Sequence, residues 1–172
     1  MLCHSVALRV LLWAYQSLCL SAWRPRFFFI QAESMAKIQV ITAMTLDGFL
    51  PEKDEKLLQW VRTDKRGFSY WHERSTFTLS PNYPMLDLIC EKDGKEDSFI
   101  YTAEISDRNS FRLLHGLSIY HLIDEAVIYI LPITSGEGLA HLQQLPVGRW
   151  QLHESATFRN GVCRLIYRKI LR

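Results

Sequence analysis

Cysteine, proline and glycine are all scarce in this chain, at four, six and eight of 172 residues. No internal repeat or low-complexity stretch is visible, so repeat arrays and compositionally biased chains are set aside. Cys3, Cys19, Cys90 and Cys163 form no CxxC and no Cys/His group with zinc-ligand spacing. That argues against a structural or catalytic zinc site. Cys90 and Cys163 lie in apolar, strand-like runs and read as buried free thiols, which fits a reducing, cytoplasmic setting. An excess of either charge is lacking too. Removing Arg9, Arg24, Arg26 and Glu33 from the 20 basic and 18 acidic residues leaves 17 of each in residues 35–172. A neutral body without a basic stripe argues against nucleic acid as the main partner.

A long unbroken apolar run is also missing. Residues 6–23 are mostly apolar but carry Arg9, Gln16, Ser17 and Ser21, too interrupted for a membrane span. As a secretory signal the segment is poor, because Arg9 is late and Trp23-Arg24-Pro25-Arg26 is no small-residue cleavage site. Met35-Ala36-Lys37 leads straight into a strand-like run, so residues 1–34 read as an extension outside the fold, with translation expected from Met35.

What is present is ordinary globular composition, 48% hydrophobic, 22% charged and 12% aromatic. Ile38–Met44 is apolar and β-branched, as a central strand requires. From Asp54 to about His72, the recurrence of Leu57, Leu58, Trp60, Val61 and Phe68 predicts a helix, with Gly67 as its breaking point. Residues 75–84 look irregular, Met85–Cys90 reads as a short strand, and Ser98–Ala103 as another. Ser110 to about Ile123 reads as a second helix with Phe111, Leu114, Leu117 and His121 or Leu122 facing inward. Ala126–Ile133 is a strand, and Gly148–His153 with Val162–Leu171 form a hairpin about Asn160-Gly161. The expected fold is α/β, a mixed and mainly parallel sheet flanked by helices, closed by a C-terminal antiparallel hairpin.

Chemistry concentrates at two strand ends. Asp47-Gly48 follows the first strand, where α/β sheets present backbone groups to ligands. Asp47 supplies a carboxylate there, and the bland alternative is a simple β-turn. Gly136-Glu137-Gly138 follows another strand end; alone, a Gly-x-Gly says little. Asp124-Glu125 closes a helix-to-strand connection and reads as structural. His115, His121, His141 and His153 show no partner spacing and read as surface or core positions.

The stretch Thr42-Ala43-Met44-Thr45-Leu46-Asp47-Gly48-Phe49-Leu50 resembles the loop after the first strand of the riboflavin-biosynthesis reductases, the RibD C-terminal domain, relatives of dihydrofolate reductase. Leu122–Ala140 is similar to that family's Asp-Glu, strand, Pro, Gly-x-Gly signature. The resemblance implies a dihydrofolate-reductase-like domain over residues 35–172 and an NADPH-dependent oxidoreductase acting on a pyrimidine- or pteridine-like small molecule. It also implies a homodimer. The substrate side would be Thr45, Asp47, Gly48, Gly136, Glu137 and Gly138, with Asp47 catalytic, polarising or protonating the substrate. The cofactor side would be Ala43, Thr45, Ser106, Arg108 and Ser110.

Two features of that family are missing. A Gly-Gly pair is expected before the second helix, but residues 101–110 contain no glycine and place Glu104 and Asp107 there. A Gly-Arg-x-Thr-like segment is expected after the first helix, but residues 76–84 contain neither Gly nor Arg. The alternative is therefore a non-catalytic small-ligand-binding or dimerising module that has lost its cofactor phosphate site.

Overall fold

The computed structural model describes residues 35–96, 98–140 and 145–170. The proposed extension, residues 1–34, and His141 lie outside the described residues. The chain runs β1 (Lys37–Thr45), α1 (Lys56–Thr63), α2 (Phe68–Arg74), β2 (Phe77–Thr78), α3 (Met85–Asp93), β3 (Ile100–Ile105), α4 (Ser110–Ile119), β4 (Glu125–Leu131), β5 (Trp150–Thr157) and β6 (Cys163–Lys169). These strands form one six-stranded sheet in the order β2-β3-β1-β4-β6-β5. β1 is central and parallel to both β3 and β4, whereas β6 pairs antiparallel with β4 and β5. The expected mixed sheet with its closing hairpin is what the chain builds.

Alternation along β1 sends Ile38 and Val40 to one face and Ile41 and Ala43 to the other. On the first face they join β3 residues Tyr101, Ala103 and Ile105 beneath Leu88 of α3 and Leu113, Leu114 and Leu117 of α4. On the second, Leu58 and Val61 of α1 and Phe68 and Trp71 of α2 cover Val127, Tyr129 and Leu131 of β4. Each such buried side chain contributes roughly 1.5–3 kcal/mol by leaving water. Trp71 Nε1 donates to the Tyr129 hydroxyl at 2.8 Å, and that hydroxyl donates to Arg66 O at 2.7 Å, so both of these buried polar groups are paired.

Several boundaries differ from the sequence expectation. The first helix is two helices, because the chain turns through Asp64–Gly67 and α2 begins at Phe68. A Cβ on Gly67 would stand 1.8 Å from Val61 O, so only glycine permits this approach of backbone to backbone. Met85–Cys90 is not a strand but the start of α3. Leu88 is fully buried while Leu86 is 71% exposed, and Met85, Leu88, Ile89 and Lys92 turn inward at three- and four-residue spacing. Cys90 is consequently exposed on that helix, and Cys163 is half-buried, so neither is the fully buried thiol expected. Helix α4 stops at Ile119, and His121 takes φ 54° in the turn that follows, leaving Leu122 rather than His121 inward. Within the stretch read as irregular, Phe77 and Thr78 pair with β3 as a two-residue edge strand.

At the amino edge of the sheet, Asp124 and Glu125 join four elements. Ile38 N and the Lys92 ammonium of α3 donate to Asp124 Oδ2 at 2.8 and 2.6 Å. Glu125 is buried and accepts from Lys37 of β1 and Arg168 of β6 at 2.7 and 2.8 Å, and from Gln39. The structural reading of this pair is what the geometry shows. Burial pushes the Glu125 carboxyl up, but the hydrogen bonds from Lys37 and Arg168 outweigh it and hold the group below its ordinary value. Its stabilising effect is therefore present above the unfolded-state pKa of about 4.3 and is lost as pH falls through the lower folded value. Glu125→Ala is expected to cost about 2–3 kcal/mol in urea unfolding at neutral pH, with the gap to wild type narrowing in acid. A gap independent of pH would contradict this assignment.

Candidate functional site

The carboxyl ends of β1 and β4 lie side by side, Thr45 opposite Leu131, and the loops leaving them are knitted together. Leu46 N donates to Ile133 O at 2.8 Å and Leu50 N to Leu139 O at 3.0 Å, with a bridge between Phe49 and Ala140. Gly48, at φ 83°, makes the turn that returns Phe49 to Thr45, a conformation that a Cβ disfavours.

Asp47 is the knot of this arrangement. Its carboxylate accepts the Thr45 hydroxyl and the backbone amides of Ser135 and Gly136, at 3.1 and 2.7 Å for Oδ2. The hydrogen bond from Thr45, followed by that from Gly136, holds the Asp47 carboxyl below the usual carboxylate range. At neutral pH it is an ionised acceptor. Its two oxygens are engaged by Thr45, Ser135 and Gly136 and it is in the lining of neither cleft beside it, and its lowered pKa opposes the protonating role that the resemblance implies.

Two clefts open beside this knot. One, of about 360 Å³, is lined by Thr45, Pro51, Glu52, Glu55, Ile133, Thr134 and Ser135. No basic side chain is in that lining, and Glu55 also caps α1 by accepting from Leu57 N at 3.2 Å. The other, of about 270 Å³, shares Pro51 and Glu52 and is completed by Leu50, Lys53 and Ser106–Asn109.

The substrate-side residues expected from sequence, Thr45, Asp47, Gly48, Gly136, Glu137 and Gly138, therefore meet in one loop cluster, with Glu137 O accepting from the Ser135 hydroxyl. Ser106 and Arg108 line the second cleft. Ala43 departs from expectation: it is 1% exposed and packed in the core against the α1–α2 side, so it cannot touch a ligand. Ser110 is also buried, behind the cleft. Glu104 is not in that lining and pairs with His72 Nε2 at 2.9 Å. Burial pushes the Glu104 carboxyl up, but the hydrogen bonds from His72 and Ser106 bring it below its ordinary value.

Sequence reasoning missed Glu52, Glu55 and the His72–Glu104 pair. The first two follow β1 in a strand-to-helix loop at the carboxyl edge, the place where such sheets carry ligands, and that rule was the available signal. The His72–Glu104 pair spans 32 positions and leaves no local trace.

No protein-family model and no curated protein matches this sequence. Solved structures do match. A diaminohydroxyphosphoribosylaminopyrimidine deaminase/5-amino-6-(5-phosphoribosylamino)uracil reductase from Thermotoga maritima shares 13% identity, covers 79% of this chain and superposes with a TM-score of 0.50. This chain spans 57% of that protein. A protein assigned to riboflavin biosynthesis in Shewanella sp. PV-4 shares 14% identity over 78% of this chain and 99% of its own, with a TM-score of 0.46. The Saccharomyces cerevisiae riboflavin biosynthesis reductase shares 10% over 79% of this chain and 89% of its own, with a TM-score of 0.40.

A central parallel trio extended by an antiparallel hairpin, with helices against both faces, is a dihydrofolate-reductase-like α/β architecture. The chain shares its fold with the Thermotoga protein, on which it superposes with a TM-score of 0.50. Fold does not transfer activity.

NADPH, the cofactor implied by the fold family, requires a phosphate cradle before α4. That place is already filled. The Ser110 hydroxyl accepts from Ser106 N and Asp107 N at 3.1 and 3.0 Å, and the Asp107 carboxylate accepts from Ser110 N at 2.8 Å. These residues do not fit a dinucleotide phosphate.

The Asp47 knot is open to test by hydrogen exchange. In Asp47→Ala, the Ser135 and Gly136 amides are expected to exchange several-fold faster while β1 amides stay protected. Unchanged exchange at both loop amides would contradict the knot.

Proposed function

We propose that the domain binds a small planar heterocycle bearing exposed N–H donors, of the aminopyrimidine or pteridine kind, in the cleft between Glu52–Glu55 and Thr134–Ser135. The observation that carries this reading is the cleft of about 360 Å³ beside the Asp47 knot, lined by Glu52 and Glu55 and by no basic group. Carboxylates accept hydrogen bonds from ring and exocyclic amines, and they repel phosphate. Glu52 and Glu55 give the cleft its negative charge, and Asp47 fixes the loop that forms its wall. On this reading a phosphorylated substrate is disfavoured, and the domain is a ligand-binding member of a reductase fold. Hydride transfer from NADPH, the activity the family resemblance implies, finds its weakest support at the start of α4.

The homodimer implied by the resemblance belongs to the same proposal. The surface on offer is the face of β4 and β6 that no described helix covers, where Met44, Ile128, Ile130, Leu165 and Tyr167 line an apolar groove of about 340 Å³. Among the described residues no helix is long and apolar enough to cross a membrane.

Calorimetry on the full chain tests the ligand reading. A diaminopyrimidine or aminopteridine is expected to bind with a Kd on the order of micromolar to tens of micromolar. Its phosphorylated counterpart is expected to bind about tenfold more weakly or not at all, and Glu52→Gln to narrow that difference. Equal or tighter binding of the phosphorylated compound, or no binding of either, would sink the proposal.

A further inference from the structure

In α/β folds a helix that starts at a strand's carboxyl edge is a ready anion site, because its first amides lack intrahelical partners and its dipole favours negative charge. Helix α4 starts in that position, after β3, and the residues leading into it, Ser106–Asn109, line the cleft shared with Leu50–Lys53. An external phosphate needs those amides free and needs positive charge around them. Neither condition holds. The Asp107 carboxylate accepts from Ser110 N at 2.8 Å and is also held by the Asn109 amide. The Ser110 hydroxyl takes the amides of Ser106 and Asp107 at 3.1 and 3.0 Å, and returns its own proton to Asp107 O at 2.7 Å. Ser110 is only 3% exposed, so its hydroxyl cannot swing out to solvent without opening the turn. The charged groups lining the cleft are Lys53 and Arg108 against Glu52 and Asp107, which cancel.

We propose that Asp107 and Ser110 are a built-in phosphate surrogate: a carboxylate and a hydroxyl from the chain occupy the amides that would otherwise cradle a dinucleotide's phosphates, and close that half of the site to NADPH. The hydrogen bond from Ser110 N holds the Asp107 carboxyl below its ordinary value, so the surrogate stays anionic at neutral pH. An incoming phosphate must then displace an anion that is already paired and covalently tethered, and a tether gives the resident group a high effective concentration. The inference goes beyond the heterocycle reading and stands without it, since it concerns the neighbouring cleft and a different ligand chemistry.

The test is amide chemical-shift mapping of the full chain titrated with NADPH and, separately, with inorganic pyrophosphate. For wild type, the Ser106, Asp107 and Ser110 amides are expected to stay in place with either probe. Asp107→Gly removes the anion, Asp107→Asn removes only its charge, and Ser110→Ala frees the Ser106 and Asp107 amides. At least one of the three is expected to gain about tenfold or more in affinity for pyrophosphate, with shifts confined to the α4 start. Urea unfolding curves identify which variants are folded. Two results overturn the proposal: wild type shifting those amides on NADPH addition, or folded variants that gain nothing. Neither outcome bears on heterocycle binding at the acidic cleft, so the two readings fail separately.

Discussion

Everything at the ligand-facing edge depends on a register set at the opposite edge. Parallel strands have no hairpin to align them, and a slip of one residue would exchange the two faces of a strand. Glu125, buried at the amino end of β4, accepts from Lys37 and Gln39 of β1 and from Arg168 of β6, while Asp124 takes Ile38 N and the Lys92 ammonium of α3. Two adjacent carboxylates thus determine which residue of β1 lies against which residue of β4. Six residues further along, that register brings Thr45 opposite Leu131. The loops then leave the sheet close enough for Asp47 to bind Ser135 and Gly136.

Acidic side chains serve three distinct ends in this small domain. Glu125 is buried and compensated by cations, where its loss would leave charges unpaired. Asp47 is exposed and compensated by the Thr45 hydroxyl and by backbone amides rather than by cations, so it ties two loops together. Asp107 is held at a helix start, in the place an external anion would take. At the carboxyl edge, Glu52 and Glu55 make the cleft beside Thr134–Ser135 acidic, whereas Lys53 and Arg108 balance Glu52 and Asp107 in the neighbouring one. The scaffold has a dihydrofolate-reductase-like fold, and the fold alone does not assign its task.

Much of this was legible from sequence because it rests on local patterns. The β-branched run of β1, the apolar run of β4 and the Asn160-Gly161 turn all have short-range signatures, and the two ligand-side loops stood out by their glycines. The α3 segment misled because Met85–Cys90, apolar but for Asp87, suits strand or helix equally, and the inward placement of Leu88, Ile89 and Lys92, the last held by Asp124, sets the helical period. Ala43 was misplaced because adjacency to a loop says nothing of which face a strand residue takes. The pairing of His72 with Glu104, and the capture of Ser135 by Asp47, join positions 32 and 88 apart and exist only once the sheet has formed. Asp107 and Ser110 stood at the expected start of a helix, yet that their hydrogen bonds occupy the Ser106, Asp107 and Ser110 amides needed the geometry of the turn.

On the proposed reading one cleft takes a heterocycle while the amides beside its neighbour are closed to phosphate. A crystal structure of the full chain grown with an aminopteridine and NADPH together tests it most directly. The account predicts the heterocycle between Thr45 and Ser135, with Ser106–Ser110 holding only their own side chains. A dinucleotide seated with its phosphates on the Ser106, Asp107 and Ser110 amides would contradict it.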